Sequence, residues 1–106
     1  MTAQMMDQFE FQGQTWSICA PGLAAPSNRD LGIQTAMAST ACISGRVDTF
    51  AVSDEMHLVL QQIQVRLAED KDYENYVPQG ARREDLDEFE SMGLTTRFVF
   101  DDFKLA

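Results

Sequence analysis

The chain has 106 residues, of which 44% are hydrophobic, and its 17 acidic against 8 basic residues give a formal net charge of −9. That length supports one hydrophobic core and one domain over 1–106, and no apolar run reaches the roughly 20 residues that cross a membrane as a helix. A field this negative opposes nucleic-acid phosphates and anionic lipid surfaces, so direct nucleic-acid and membrane binding are disfavoured, and the charge points to a basic protein partner or to simple solubility.

Residues 1–8 read as a loose lead-in, and the start MTAQMMDQF lacks the basic region and apolar core of a signal peptide, which predicts a cytoplasmic protein. FEFQGQTWSI then predicts a hairpin. Phe9 and Phe11 share one strand face, Gly13 permits the turn, and Trp16 and Ile18 share a face of the returning strand. Residues 20–27, APGLAAPS, are a loop, because two prolines and a glycine deny continuous strand pairing. The stretch 28–38 has room for a short helix that Gly32 weakens. Small residues dominate 39–45, which predicts a crowded junction where backbone meets backbone before a strand begins.

The stretch 46–67 reads as two antiparallel strands over a tight turn. Val47, Thr49, Phe50 and Val52 have strand-type side chains, Ser53-Asp54-Glu55 supply turn chemistry, and Met56, Leu58 and Leu60 then alternate. The phase changes at Gln61-Gln62, since Ile63, Val65 and Leu67 occupy the other parity. A β-bulge at the glutamines is the predicted cause. Residues 68–79, AEDKDYENYVPQ, form a long surface loop anchored to the body by Tyr73 and Tyr76. Residues 81–92 predict one short amphipathic helix, with Leu86, Phe89 and Met92 at helical spacing, acids near its start and Gly93 to stop it. TTRFVFDDFKLA closes the chain as a strand, with Phe98 and Phe100 on one face and Phe103 with Leu105 beyond the Asp pair. The sum is a β-dominated α+β domain of five or six strands with one short helix, built as a coiled antiparallel sheet or a partly open barrel.

Chemistry-bearing residues are sparse. Cys19 and Cys42 sit among apolar neighbours without metal-ligand spacing, which predicts reduced, buried thiols. His57 flanks a predicted strand and reads as an exposed or cross-strand side chain, since no nucleophile elbow, phosphate loop or dinucleotide motif accompanies it. The acidic pairs Glu84-Asp85, Asp87-Glu88 and Asp101-Asp102 lack the alternating oxygens and glycine of a calcium loop. A non-enzymatic protein without metal or cofactor is the expectation.

Acidity is concentrated late in the chain: residues 68–106 carry eleven acids and five bases, against six and three in residues 1–67. The partner-binding residues this singles out are Glu69, Asp70, Asp72, Glu84, Asp85, Asp87 and Glu88 for charge, with Tyr73, Tyr76 and Phe89 as apolar anchors.

Two stretches, DQFEFQGQTWSI and STACISGRVDTFAVSDEMHLVL, together resemble small bacterial proteins with an F-x-F/Y-x-G-x-x-W/Y start and a later S-T/S-A-C-x-x-G segment, some of them immunity proteins encoded beside toxins. The resemblance covers under half of the chain, and Ile43-Ser44 stand where that pattern has aromatic and basic residues. It implies a β-rich bacterial protein and carries over no catalytic residue. The leading expectation is therefore an acidic protein-binding module, in its most concrete form an immunity-type inhibitor of a basic toxin such as a nuclease. Two alternatives belong to other classes. One is a small-molecule-binding or enzymatic β-barrel using Trp16, Cys42 and His57, and the other is a homodimer or homo-oligomeric subunit joined through exposed strand edges.

Overall fold

The structure is a computed structural model that describes residues 6–18, 26–39, 42–52 and 57–104. Its elements are β1 (Asp7–Phe11), β2 (Gln14–Ile18), α1 (Asn28–Leu31), β3 (Arg46–Val52), β4 (Leu58–Val65), β5 (Ala81–Asp85) and β6 (Thr96–Lys104). The six strands form one sheet in the order β2-β1-β3-β4-β6-β5, open at both edges rather than closed into a barrel. The β-dominated α+β reading with one short helix holds. Among the described residues no helix is long and apolar enough to cross a membrane.

The first hairpin forms as its alternation predicts. Gln12 at φ 53° and Gly13 at φ 76° make a two-residue turn of the mirror-image type, whose twist matches that of the strands it joins. Strand β1 starts at Asp7, inside the stretch read as a lead-in, because Asp7 already pairs with Ile18 and accepts a hydrogen bond from the Asp48 amide at 2.9 Å. The β3–β4 hairpin is antiparallel over its length. Its Ser53-Asp54-Glu55 turn and Met56 lie outside the described residues, as do Cys19, most of the proline loop, Thr40-Ala41 and Leu105.

Gln61 is the extra residue of a bulge. Leu60 pairs with Phe50 and Gln62 with Thr49, and the β4–β6 register shifts between Leu60 and Gln62 as well. The shift returns Ile63 and Val65 to the face of Leu60, and all three are buried. One core cluster thus collects Phe50, Leu60, Ile63, Val65, Phe98 and Phe100 on a single sheet face, capped by Leu31 and Ile33. A smaller cluster of Cys42, Val47 and Leu94, with Ala38 and Leu86 against it, fills a second site. Cys42 is a free, buried thiol there.

Two elements differ from the sequence expectation. Strand β1 pairs with β3 in parallel, the one parallel ladder in a sheet whose other four pairings are antiparallel. Parallel neighbours require a crossover, and the chain that includes α1 supplies it, laying Leu31 and Ile33 on the core as it passes. The helix expected over 81–92 is a strand followed by a turn. Residues 81–85 pair one for one with Phe100 to Thr96 of β6, and that tertiary ladder overrides a weak local helix preference by satisfying the backbone edge of β6. Only the C-terminal signals of that helix survive: Ser91 N–H bonds Asp87 O at 3.0 Å, and Gly93, at φ 95°, donates to Glu88 O at 2.7 Å.

Helix α1 is a single turn within 28–38. Ser27 Oγ accepts from the Asp30 amide at 3.1 Å, Asp30 Oδ2 accepts from the Ser27 amide at 3.3 Å, and Gly32 ends the turn in the left-handed region. Beyond it the chain straps across the end of β4. Ala36 N–H bonds Arg66 O and Ala68 N–H bonds Gln34 O, each at 2.9 Å.

Candidate functional site

Two regions gather polar side chains, and their hydrogen bonding separates them. The first is an open depression of about 490 Å³ lined by Asp7, Asn28, Ser44, Arg46 and Asp48. Arg46 and Asp48 lie on one face of β3 because they are two residues apart, and they form a two-pronged pair: Nε to Oδ1 at 2.7 Å and Nη2 to Oδ2 at 3.0 Å. The guanidinium also donates to Asn28 Oδ1 at 2.9 Å and to the Pro26 carbonyl at 2.7 Å. Four bonds to the chain's own groups commit Arg46 to stapling the start of α1 onto β3.

Asp7 lies beside this staple, and its carboxyl is pushed above the ordinary range, first by burial, while the Asp48 amide that it accepts from lowers it, the Asp48 carboxylate raises it and Arg46 lowers it. The fold therefore holds the Asp7 proton more tightly than the unfolded chain does. Stability from this group is present at low pH and lost as pH rises through the raised value. Asp7→Asn keeps an oxygen for the Asp48 amide and removes the charge, so at pH 7 it melts above the parent. Parallel thermal melts check this, with the difference closing below about pH 4, where an ordinary Asp is protonated in both states.

The second region is the surface built by residues 66–101, which holds all ten side chains singled out for partner binding. Tyr73 and Tyr76 face inward, half-buried against the main core, with their rings edge to face at 5.9 Å. The Tyr73 hydroxyl accepts from the Gln34 amide at 2.8 Å and the Tyr76 hydroxyl donates to the Leu31 carbonyl. They hold the loop on the body, as the sequence predicts for 68–79. Arg83, which sequence reasoning passed over, donates to the Tyr73 and Tyr76 carbonyls from β5. Its inward-facing position in a strand is the signal, and the expected helix hid it.

Several of the acids carry a local counter-charge. Glu84 pairs with Arg97 across the strands at 3.1 Å, Asp85 lies 3.8 Å from Arg83, and Arg66 bridges Glu69 at 3.2 Å and Glu88 at 3.5 Å. Exposed pairs like these contribute about 0–1 kcal/mol each. Arg66 also donates to the Gly93 carbonyl at 3.0 Å, tying the loop after β4 to the turn after β5. Asp70 and Asp72 are exposed, and Asp72 Oδ1 accepts from the Glu74 amide at 3.4 Å.

Asp87 organises the turn. Its Oδ1 accepts from the Phe89 amide at 2.8 Å and the Glu90 amide at 3.4 Å, while the Ser91 hydroxyl donates to the Asp87 carbonyl at 2.7 Å. Leu86 and Leu94 root both ends in the smaller core cluster. Held this way, Phe89 stands 95% exposed between Glu88 and Glu90. Met92, on the same turn, and Met37 and Ile43, on the strap whose Ala38 touches Gly93, are also exposed apolar side chains.

The three residues of the barrel alternative lie in different settings on an open sheet. Trp16 is on the edge strand, Cys42 is buried in the small cluster, and His57 is exposed before β4. Fold and surface together define an open, mixed β-sheet domain with an acid-rich loop surface. No protein-family model, curated protein or solved structure matches the chain.

Proposed function

We propose that this protein is a non-enzymatic binding module that presents Phe89, framed by Asp87, Glu88 and Glu90, to a basic protein partner. The observation that carries the reading is the near-complete exposure of Phe89 on a turn whose backbone is already hydrogen-bonded. A large apolar side chain in water is unfavourable for the free protein. Presented on an ordered turn, it enters a partner's pocket with little further ordering, which is how a few aromatic anchors dominate many interfaces. The flanking carboxylates steer a positively charged surface toward the anchor. An immunity-type inhibitor of a basic toxin such as a nuclease is the most concrete form of this reading, and it agrees with the acidic balance of residues 68–106.

The test is capture from host lysate at low and moderate salt, followed by titration of the purified captured protein. A basic partner is expected, with Phe89→Ala weakening it by roughly 10- to 100-fold. Glu88→Gln with Glu90→Gln leaves the Asp87 cap intact, and is expected to slow association and flatten its salt dependence. A partner that binds all three proteins equally, or no partner at all, overturns the proposal.

A further inference from the structure

The two edges of the sheet are treated differently. The outer strand β5 carries Arg82, Arg83, Glu84 and Asp85 in five residues, the charged composition that keeps an exposed edge from pairing with other chains. The opposite outer strand β2, QTWSI, has no charge, no proline and no bulge, and its register with β1 is regular over all five residues. Among the described residues only β1 pairs with it. Residues 14–17 are exposed, Trp16 by 56%.

The hairpin turn decides which backbone groups of β2 face outward. In a two-residue turn of this type the flanking residues, Phe11 and Gln14, exchange both hydrogen bonds, and bonded pairs then alternate with non-bonded ones. Gln14, Trp16 and Ile18 therefore bond inward to β1. The N–H and C=O of Thr15 and Ser17 point away from the sheet, unused by β1.

We infer that β2 is a self-pairing edge, through which two copies of this chain join in antiparallel register about a two-fold axis at Trp16. That axis sets Thr15 opposite Ser17 of the second copy and Ser17 opposite Thr15, so the four outward groups on each side bond one another. It brings the two Trp16 residues together as a non-bonded pair, the position where cross-strand side chains lie closest and aromatic pairs gain most. The contact also extends an apolar row already present, since Trp16 is opposite Phe9, Phe9 opposite Phe50 and Phe50 opposite Leu60. Charge selects the same edge. Two chains of net charge −9 repel, and the uncharged β2 is where they approach at least cost. A closed pairing of this kind is isologous, so it ends at two copies. It leaves the Phe89 surface unused and stands or falls independently of the proposed partner.

Sedimentation equilibrium of the full chain over micromolar to millimolar concentration tests it, together with circular dichroism near 230 nm. The expected mass rises from 11.9 kDa to twice that value with concentration. Trp16 is the sole tryptophan, so an indole exciton couplet requires two copies and must grow in step with the dimer. Thr15→Lys with Ser17→Lys places lysines directly opposite one another and is expected to raise the dimer dissociation constant about tenfold or more. Ser17→Pro removes an outward donor without touching the bonds to β1, and reads the same contact should the lysine pair disturb the hairpin. A chain that stays at 11.9 kDa at every concentration overturns the inference. So does a dimer without the couplet, or one that survives both variants.

Discussion

Replacing Arg46 with Met is expected to lower the free energy of unfolding by about 3 kcal/mol, read as a shift in the denaturant midpoint at unchanged slope. The cost is not that of a surface ion pair. The Arg46 and Asp48 side chains are only 14% and 8% exposed, and the pair is two-pronged, with Nε at 2.7 Å. Without the guanidinium, Asp48 is a carboxylate in a desolvated site beside a second acid, Asp7, which already accepts from its amide. Asn28 Oδ1 and the Pro26 carbonyl lose their donor at the same time, which frees the start of α1 from β3. The double variant Arg46→Met with Asp48→Leu distinguishes an orphaned charge from a lost tether. Recovery of most of the loss assigns it to the unpaired carboxylate, whereas no recovery assigns it to α1 coming away from the sheet. A loss below about 1 kcal/mol in the single variant would mean that water replaces the guanidinium freely, and that the cluster is ordinary surface.

Gly45→Ala is expected to cost about 3 kcal/mol or more, again by denaturant titration. Two penalties add at this position. Gly45 sits at φ 69°, and a Cβ there would lie 2.0 Å from the Ala36 carbonyl oxygen, inside any tolerable contact. The obstacle is backbone that has little freedom to move, because Ala36 N–H bonds Arg66 O while the Gly45 carbonyl accepts from the Arg66 amide, each at 2.9 Å. Gly80 isolates the conformational part. It has φ 83° with nothing within 4 Å of an added Cβ, so Gly80→Ala is expected to cost only about 1 kcal/mol, the price of the left-handed backbone alone. Equal losses at the two sites would show that the strap shifts to admit a methyl group. Gly93 repeats the Gly45 geometry against the Ala38 oxygen, also at 2.0 Å. Its alanine variant would move the Phe89 turn as well as destabilise the fold.

The hairpins, the bulge and the buried faces were legible in the sequence because each is encoded locally. A two-residue alternation places Phe98 and Phe100, or Leu58 and Leu60, on one face wherever the strand lies, and a phase change at Gln61-Gln62 has one inexpensive structural answer. The two tyrosines likewise signalled that their polar loop is held to the body. Phe89 among acids was legible as a candidate anchor, but its exposure was not, since a helix over 81–92 would have carried it on the same stripe as Leu86.

Tertiary structure alone decided the neighbours beyond the two hairpins. Alternation determines which face of a strand is apolar and says nothing of which strand lies beside it or in which direction, so the parallel β1–β3 ladder was beyond local reading. Residues 81–85 became strand because the edge of β6 needed backbone partners, a requirement that no propensity within ARRED expresses. The role of Arg46 was hidden for the same reason. Composition and spacing determined a β-rich fold with an acid-rich later part, while the Arg46 staple, and the pairing of β1 with β3 that leaves β2 outermost, arise from contacts between residues 20 to 41 positions apart.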